Sequence, residues 1–154
     1  MTPIKIIVVG LGNDLIADDA VGVLAARELK AGLAGRADVV ETAMHGLALL
    51  DIFLGYDRAI LLDAIQTGQR PPGTVIEIKA SELAPVIAPS PHFAGLPEML
   101  ALAHQLQLEF PKEFRIFAVE VVDPHTIGGP MTPAVRDAIP TLCARVHEAL
   151  AAWA

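Results

Sequence analysis

Two short, nearly continuous apolar runs constrain this chain more than any other feature. Pro3-Ile4-Lys5-Ile6-Ile7-Val8-Val9 ends at Gly10, and Arg58-Ala59-Ile60-Leu61-Leu62 ends in the carboxylate of Asp63. A strand with one wet face alternates apolar and polar residues. These runs do not alternate, so both of their faces must be covered, as in a parallel sheet sandwiched between helices.

The segments between them supply the helices. A helix is predicted from Asp18 or Asp19 to Lys30, with acids at its N-terminus where the macrodipole favours them. Ala37–Thr42 reads as a short second strand centred on Val39 and Val40, and Gly46–Leu54 as a short helix stopped by Gly55. After a Gly/Pro-rich loop from Gln66 to Gly73, Thr74–Lys79 alternates as a strand should. Four prolines (Pro85, Pro89, Pro91 and Pro97) predict an irregular loop over Ala84–Pro97, leading into a helix at about 97–108. Phe114–Val122 is the last strand, and Thr132–Trp153 a closing helix with a kink or break at Pro140. This alternation predicts a single domain over residues 1–154, a three-layer α/β/α sandwich with a mostly parallel, about five-stranded sheet. Ligands of such sheets bind outside the carboxyl ends of the strands. The Gly10–Asp19 turn, Asp63 with its loop and the His92 loop are expected to meet there.

Composition narrows the partners. With 154 residues, 53% of them hydrophobic, the chain can bury a real core, yet charges and prolines interrupt every apolar stretch before it could span a membrane. The N-terminus offers only Lys5 as a charge and runs straight into a strand-like segment with no small-residue cleavage site, so no signal peptide is expected. A lone cysteine, Cys143, excludes an internal disulfide framework and suits a reducing compartment. The expected location is the cytoplasm. Eleven basic against eighteen acidic residues, a formal charge of −7, argue against nucleic acid and leave a protein or a metal as the better partner.

Gly10-Leu11-Gly12-Asn13-Asp14-Leu15-Ile16-Ala17-Asp18-Asp19 is the stretch richest in chemistry. Glycines after a buried strand allow a tight turn and close approach of backbone to a ligand. Gly10 and Gly12 match the first two glycines of a dinucleotide fingerprint, and Glu41 could hold a ribose hydroxyl. Leu15 stands where the third glycine belongs, however, and Asp14, Asp18 and Asp19 would repel a pyrophosphate from the helix entrance. Other catalytic plans fail on inventory. Ser81 and Ser90 lie in no nucleophile-elbow context, Cys143 sits mid-helix among small and apolar neighbours, and no Cys/His zinc spacing occurs. Taken singly, Asp63 could be a loop acceptor, Asp18 and Asp19 a helix N-terminus, and His92 a loop residue without a task.

In order along the chain, three segments resemble the hydrogenase maturation endopeptidases. Residues 10–22, Gly-Leu-Gly-Asn through Asp18-Asp19-Ala-Val-Gly22, are similar to the family's N-terminal signature. Leu62-Asp63-Ala64 resembles its second motif, an aspartate closing the third strand, and Ser90-Pro91-His92-Phe93-Ala94-Gly95-Leu96-Pro97-Glu98 its third. The resemblance implies a site of Asp19, Asp63 and His92, serving both as catalytic residues and as ligands to nickel. That nickel already resides in the precursor of a nickel–iron hydrogenase large subunit, whose short C-terminal extension the enzyme removes. Two carboxylates and an imidazole suit a borderline divalent ion and leave positions for the substrate's own ligands. Nickel is then delivered by the substrate rather than held tightly by the isolated protein, and the protein is expected to act as a monomer on that precursor, with no nucleic acid or membrane partner. Asp18 is left the helix-capping role. Ala43-Met44-His45-Gly46 departs from the family pattern, where a threonine and a small residue more often precede the glycine. His45 therefore stands beside the expected site without an assigned role, and His125 falls in a loop that could line the same cleft. A non-catalytic nickel-binding or hydrogenase-docking chaperone of the same fold would share these ligands and remains the alternative.

Overall fold

The computed structural model describes residues 2–79 and 95–154. The chain order is β1 (Ile6–Leu11), a 3-10 turn (Ala17–Ala20) running into α1 (Val21–Leu33), and β2 (Asp38–Thr42). A second 3-10 turn (Gly46–Leu49) continues into α2 (Leu50–Phe53), then β3 (Arg58–Ile65), β4 (Val75–Ile78), α3 (Leu96–Gln105), β5 (Glu113–Glu120), α4 (Pro133–Asp137) and α5 (Ile139–Ala152). The sheet has five strands in the order β2-β1-β3-β5-β4. β1, β2, β3 and β5 are parallel, and β4 joins β5 antiparallel at the edge.

Both faces of the central strands are covered, as their unbroken apolar composition requires. On one face Val8, Ile60, Leu62, Phe117 and Val119 pack with Ala25 and Leu29 of α1 and Leu142 and Val146 of α5. On the other, Ile7, Val9, Leu61, Ile116 and Ala118 pack with Leu49, Phe53, Leu96 and Met99. Phe53 is fully buried and meets Phe110 and Phe114 edge-on, at centroid distances of 5.9 and 4.9 Å. The result is the expected three-layer α/β/α sandwich. No helix among the described residues is long and apolar enough to cross a membrane.

The structure alters four local expectations. The first helix opens as a 3-10 turn, becomes α-helical only at Val21, and runs past Lys30 to Leu33. The closing helix breaks at Ala138, ahead of Pro140, which occupies the first turn of α5, where its missing N–H costs no helical bond. β1 does not end at Gly10 but continues through it to Leu11. Finally, Asp18 caps no helix. Ile16 precedes the 3-10 turn and Ala20 precedes α1, and neither position carries a side-chain cap. The proline-rich loop lies outside the described residues, apart from its last three residues at the start of α3.

Candidate active site

The glycines of the first motif hold a helix against the sheet. Gly10 lies within β1, and a Cβ there would come within 2.4 Å of the Gly22 carbonyl oxygen. A Cβ on Gly22 would lie 2.5 Å from the Leu62 oxygen and 2.7 Å from the Leu11 oxygen. Only a pair of glycines lets α1 start so close to β1 and β3. Gly12 completes the turn with φ near +143°, its α-carbon against the Asp19 backbone. Gly10 and Gly12 were expected to allow a tight turn and close approach to a ligand, and Gly12 does make the turn. Gly10 and Gly22 instead seat the helix entrance, and so carry Asp19 onto the carboxyl edge of the sheet.

Asp19 sits there nearly buried, at 6% exposure, with one carboxylate oxygen accepting the Asn13 N–H at 2.9 Å. Its turn touches β3. Asp63 lies near the end of β3, level with Ala118 of β5 and one residue beyond the Gly10–Leu62 pair. Strand alternation puts it on the face covered by α2 and α3, and it is fully buried, with one oxygen 2.8 Å from the Ala64 N–H. The structure thus brings two of the three proposed residues to one edge, in adjoining segments. His92 lies outside the described residues. Gly95, where description resumes, packs against Gly46 and Leu47 just past the carboxyl end of β2. Carboxylates are acceptor-only groups suited to holding a divalent cation or accepting a proton.

The surroundings of this pair were only partly visible in the sequence. Asp18 is fully buried and accepts four hydrogen bonds: from the N–H groups of Val122, Asp123 and Thr132, and from the Thr132 hydroxyl. It moors the loop after β5 to the turn that carries Asp19. Sequence reasoning missed Glu120, a buried acid at the end of β5. It accepts the N–H groups of Thr67 and Gly68 and the Thr67 hydroxyl, and so holds the loop that leaves β3 just after Asp63. A lone acid between Val119 and Val121 was the signal for it. Arg27 pairs with Glu41 at 2.7 Å and Asp14 at 3.2 Å, and both carboxylates raise its guanidinium pKa further. Glu41 is therefore committed to a cation, which weakens the dinucleotide reading again.

His45 and His125 are exposed on loops at the same edge, after β2 and β5. His104 and His147 are exposed on helices, as expected. Cys143 is half-buried, with burial and then nearby Glu28 pushing its thiol up to about 11, so it stays protonated near neutral pH. An open hollow of about 580 Å³ lined by Leu100, His104 and Phe110 lies at the opposite, amino edge, away from both aspartates.

Known proteins resemble this chain in sequence and in fold. A family model described as hydrogenase maturation protease (HycI) matches residues 23–149. The hydrogenase 2 maturation protease of Escherichia coli (strain K12) is 32% identical over 152 residues, covering 95% of this chain and 90% of that protein. The hydrogenase expression/formation protein HupD of Rhizobium leguminosarum bv. viciae is 29% identical over 154 residues, covering 97% and 75%. Among solved structures, the hydrogenase maturating endopeptidase HybD from E. coli superposes with a TM-score of 0.81 at 26% identity, over 96% of this chain and 92% of that one. The chain belongs to the hydrogenase maturation protease family and is an endopeptidase.

Proposed function

We propose that this endopeptidase recognises nickel in the precursor of a nickel–iron hydrogenase large subunit through Asp19, Asp63 and His92, and removes the precursor's C-terminal extension. The observation that carries this reading is that Asp19 and Asp63 both lie at the carboxyl edge of the sheet, Asp19 on the turn that the Gly10–Gly22 packing seats against β1 and β3, in a chain of this family. Among the described residues no third histidine, cysteine or acid joins them as a metal-holding group. In this reading the imidazole is that of His92, three residues before Gly95 in the sequence and outside the described residues. The two carboxylates and the imidazole bind the nickel that the substrate carries, and this fixes the adjoining peptide bond against the site. Held there, the substrate's nickel would supply a Lewis acid able to polarise a carbonyl or activate water.

Incubating the purified protein with nickel-loaded and nickel-free precursor, then weighing the large subunit by mass spectrometry, tests the reading. Cleavage of the loaded form alone is the expected result. Tight binding of the loaded precursor without any cleavage would point to the chaperone alternative. The site is read as working in the cytoplasm as a monomer, which sedimentation of the protein alone and with precursor checks.

A further inference from the structure

Seven large hydrophobic side chains are well exposed among the described residues, and five of them, Leu15, Met44, Leu47, Val122 and Ile127, lie on loops leaving the carboxyl edge. Leu15 and Ile127 are the most open, at 67% and 79%. Chance scatter would distribute such residues around the molecule; these surround one site.

The backbone joins them into one arc. Ile16 and Ile127 form an isolated antiparallel bridge, and the Gly128 N–H donates to the Leu15 oxygen, which sets Leu15 beside Ile127. Gly12 donates to the Thr42 oxygen, linking that pair to the loop bearing Met44 and Leu47. The Val122 N–H is bound to Asp18, next to Asp19. The loops after β2 and β5 also contain long uncharged stretches, although Asp14 and Asp123 flank Leu15 and Val122. No Asp, Glu, Lys or Arg occurs from Thr42 to Leu50 or from Pro124 to Val135, in a chain holding 29 such residues. Clustered exposed apolar groups together with depleted charge characterise the centre of a protein–protein interface.

Resting on the function proposed above, we infer that this rim docks the folded body of the precursor, an apolar protein surface surrounding its metal, and not the extension peptide alone. A protein that brings its metal to Asp19 and Asp63 meets this rim, because the five residues lie on segments leaving the same edge of the sheet. The nickel contact then selects loaded substrate, and the apolar rim supplies affinity.

The test compares wild-type protein, the Leu15→Ser/Ile127→Ser double variant and an Ile4→Ser/Leu106→Ser control, whose exposed apolar residues lie elsewhere. Serine at exposed loop positions disturbs no core contact, and a circular dichroism melt verifies the fold. Steady-state cleavage of nickel-loaded precursor should show KM raised roughly tenfold or more in the rim variant with kcat nearly unchanged, and wild-type values in the control. A synthetic extension peptide, as a separate probe, should bind both variants and wild type equally weakly. An unchanged KM in the rim variant, or a loss confined to kcat, would overturn the inference. So would sedimentation showing that the rim joins two copies of this chain when precursor is absent. Direct binding of precursor to wild type and rim variant reads the surface even if no cleavage occurs, so a failure of the proposed activity is told apart from a failure of the docking surface.

Discussion

Asp18 and Asp19 are adjacent and both nearly inaccessible, yet they bond to different parts of the chain: Asp18 to groups more than a hundred residues away, Asp19 to Asn13 just upstream. A sequence can mark such a pair as chemically unusual, but it cannot say which member is tied by distant backbone, since those partners become neighbours only on folding. The resemblance alone distinguished them; the structure adds that Asp18 accepts four hydrogen bonds from the loop after β5 and from Thr132. Asp63→Asn preserves the shape and an acceptor for the Ala64 N–H while removing the charge. It is expected to abolish precursor processing with little change in melting temperature, a result checked by mass spectrometry beside a circular dichroism melt. An unfolded variant would favour a structural role for the carboxylate. Cys143→Ser should process precursor normally, because the thiol, raised to about 11, has almost no nucleophilic thiolate at neutral pH. A folded but inactive Cys143→Ser protein would contradict this.

At the scale of elements, nearly continuous apolar runs disclosed β1 and β3, and alternation disclosed β4. The direction of β4 was hidden, because alternation is the same read either way along a strand. What lines β4 up is a cross-strand pair: Arg115 grips Glu77 with two hydrogen bonds of 2.8 Å. That contact, more than Arg145 or Lys79, holds the Glu77 carboxyl below its ordinary 4.5. Folding lowers this pKa, so the stabilisation is complete above about 4.5 and fades as pH falls through the depressed value. Glu77→Gln should therefore flatten part of the acid limb of a plot of melting temperature against pH, while leaving the neutral region little changed, the pair being partly exposed. The Gly10–Gly22 contact was equally hidden, since a glycine that turns the chain and one that admits a helix are spelled alike. Gly22→Ala would push a methyl into two backbone oxygens at 2.5 and 2.7 Å. It should cost about 2–3 kcal/mol in a denaturant titration, and lower processing further than the lost stability explains, because Asp19 moves with the helix.

For the molecule as a whole, the question is where the metal resides before catalysis. The proposed site has two carboxylates and one imidazole, with no thiolate, and its aspartates are mostly buried. Three hard or borderline donors leave nickel's remaining positions to be filled by others. In free solution these would be water, and the ion would gain little by leaving its hydration shell. On the proposed function, the substrate's own ligands would already hold the ion in the loaded precursor, and the protein would add its donors to an assembled centre. Affinity for free nickel should accordingly be weak, and affinity for nickel-loaded precursor strong, a difference that calorimetry with nickel salt and with loaded precursor measures directly. Adding free nickel to protease plus nickel-free precursor should not restore cleavage, because the metal would arrive without its protein-bound surroundings. Stoichiometric metal in the purified protein, joined to equal cleavage of both precursor forms, would instead describe a metalloprotease with its own ion. In that event Asp19, Asp63 and His92 could still be the ligands, but selection between mature and immature substrate would have to reside in the apolar rim alone.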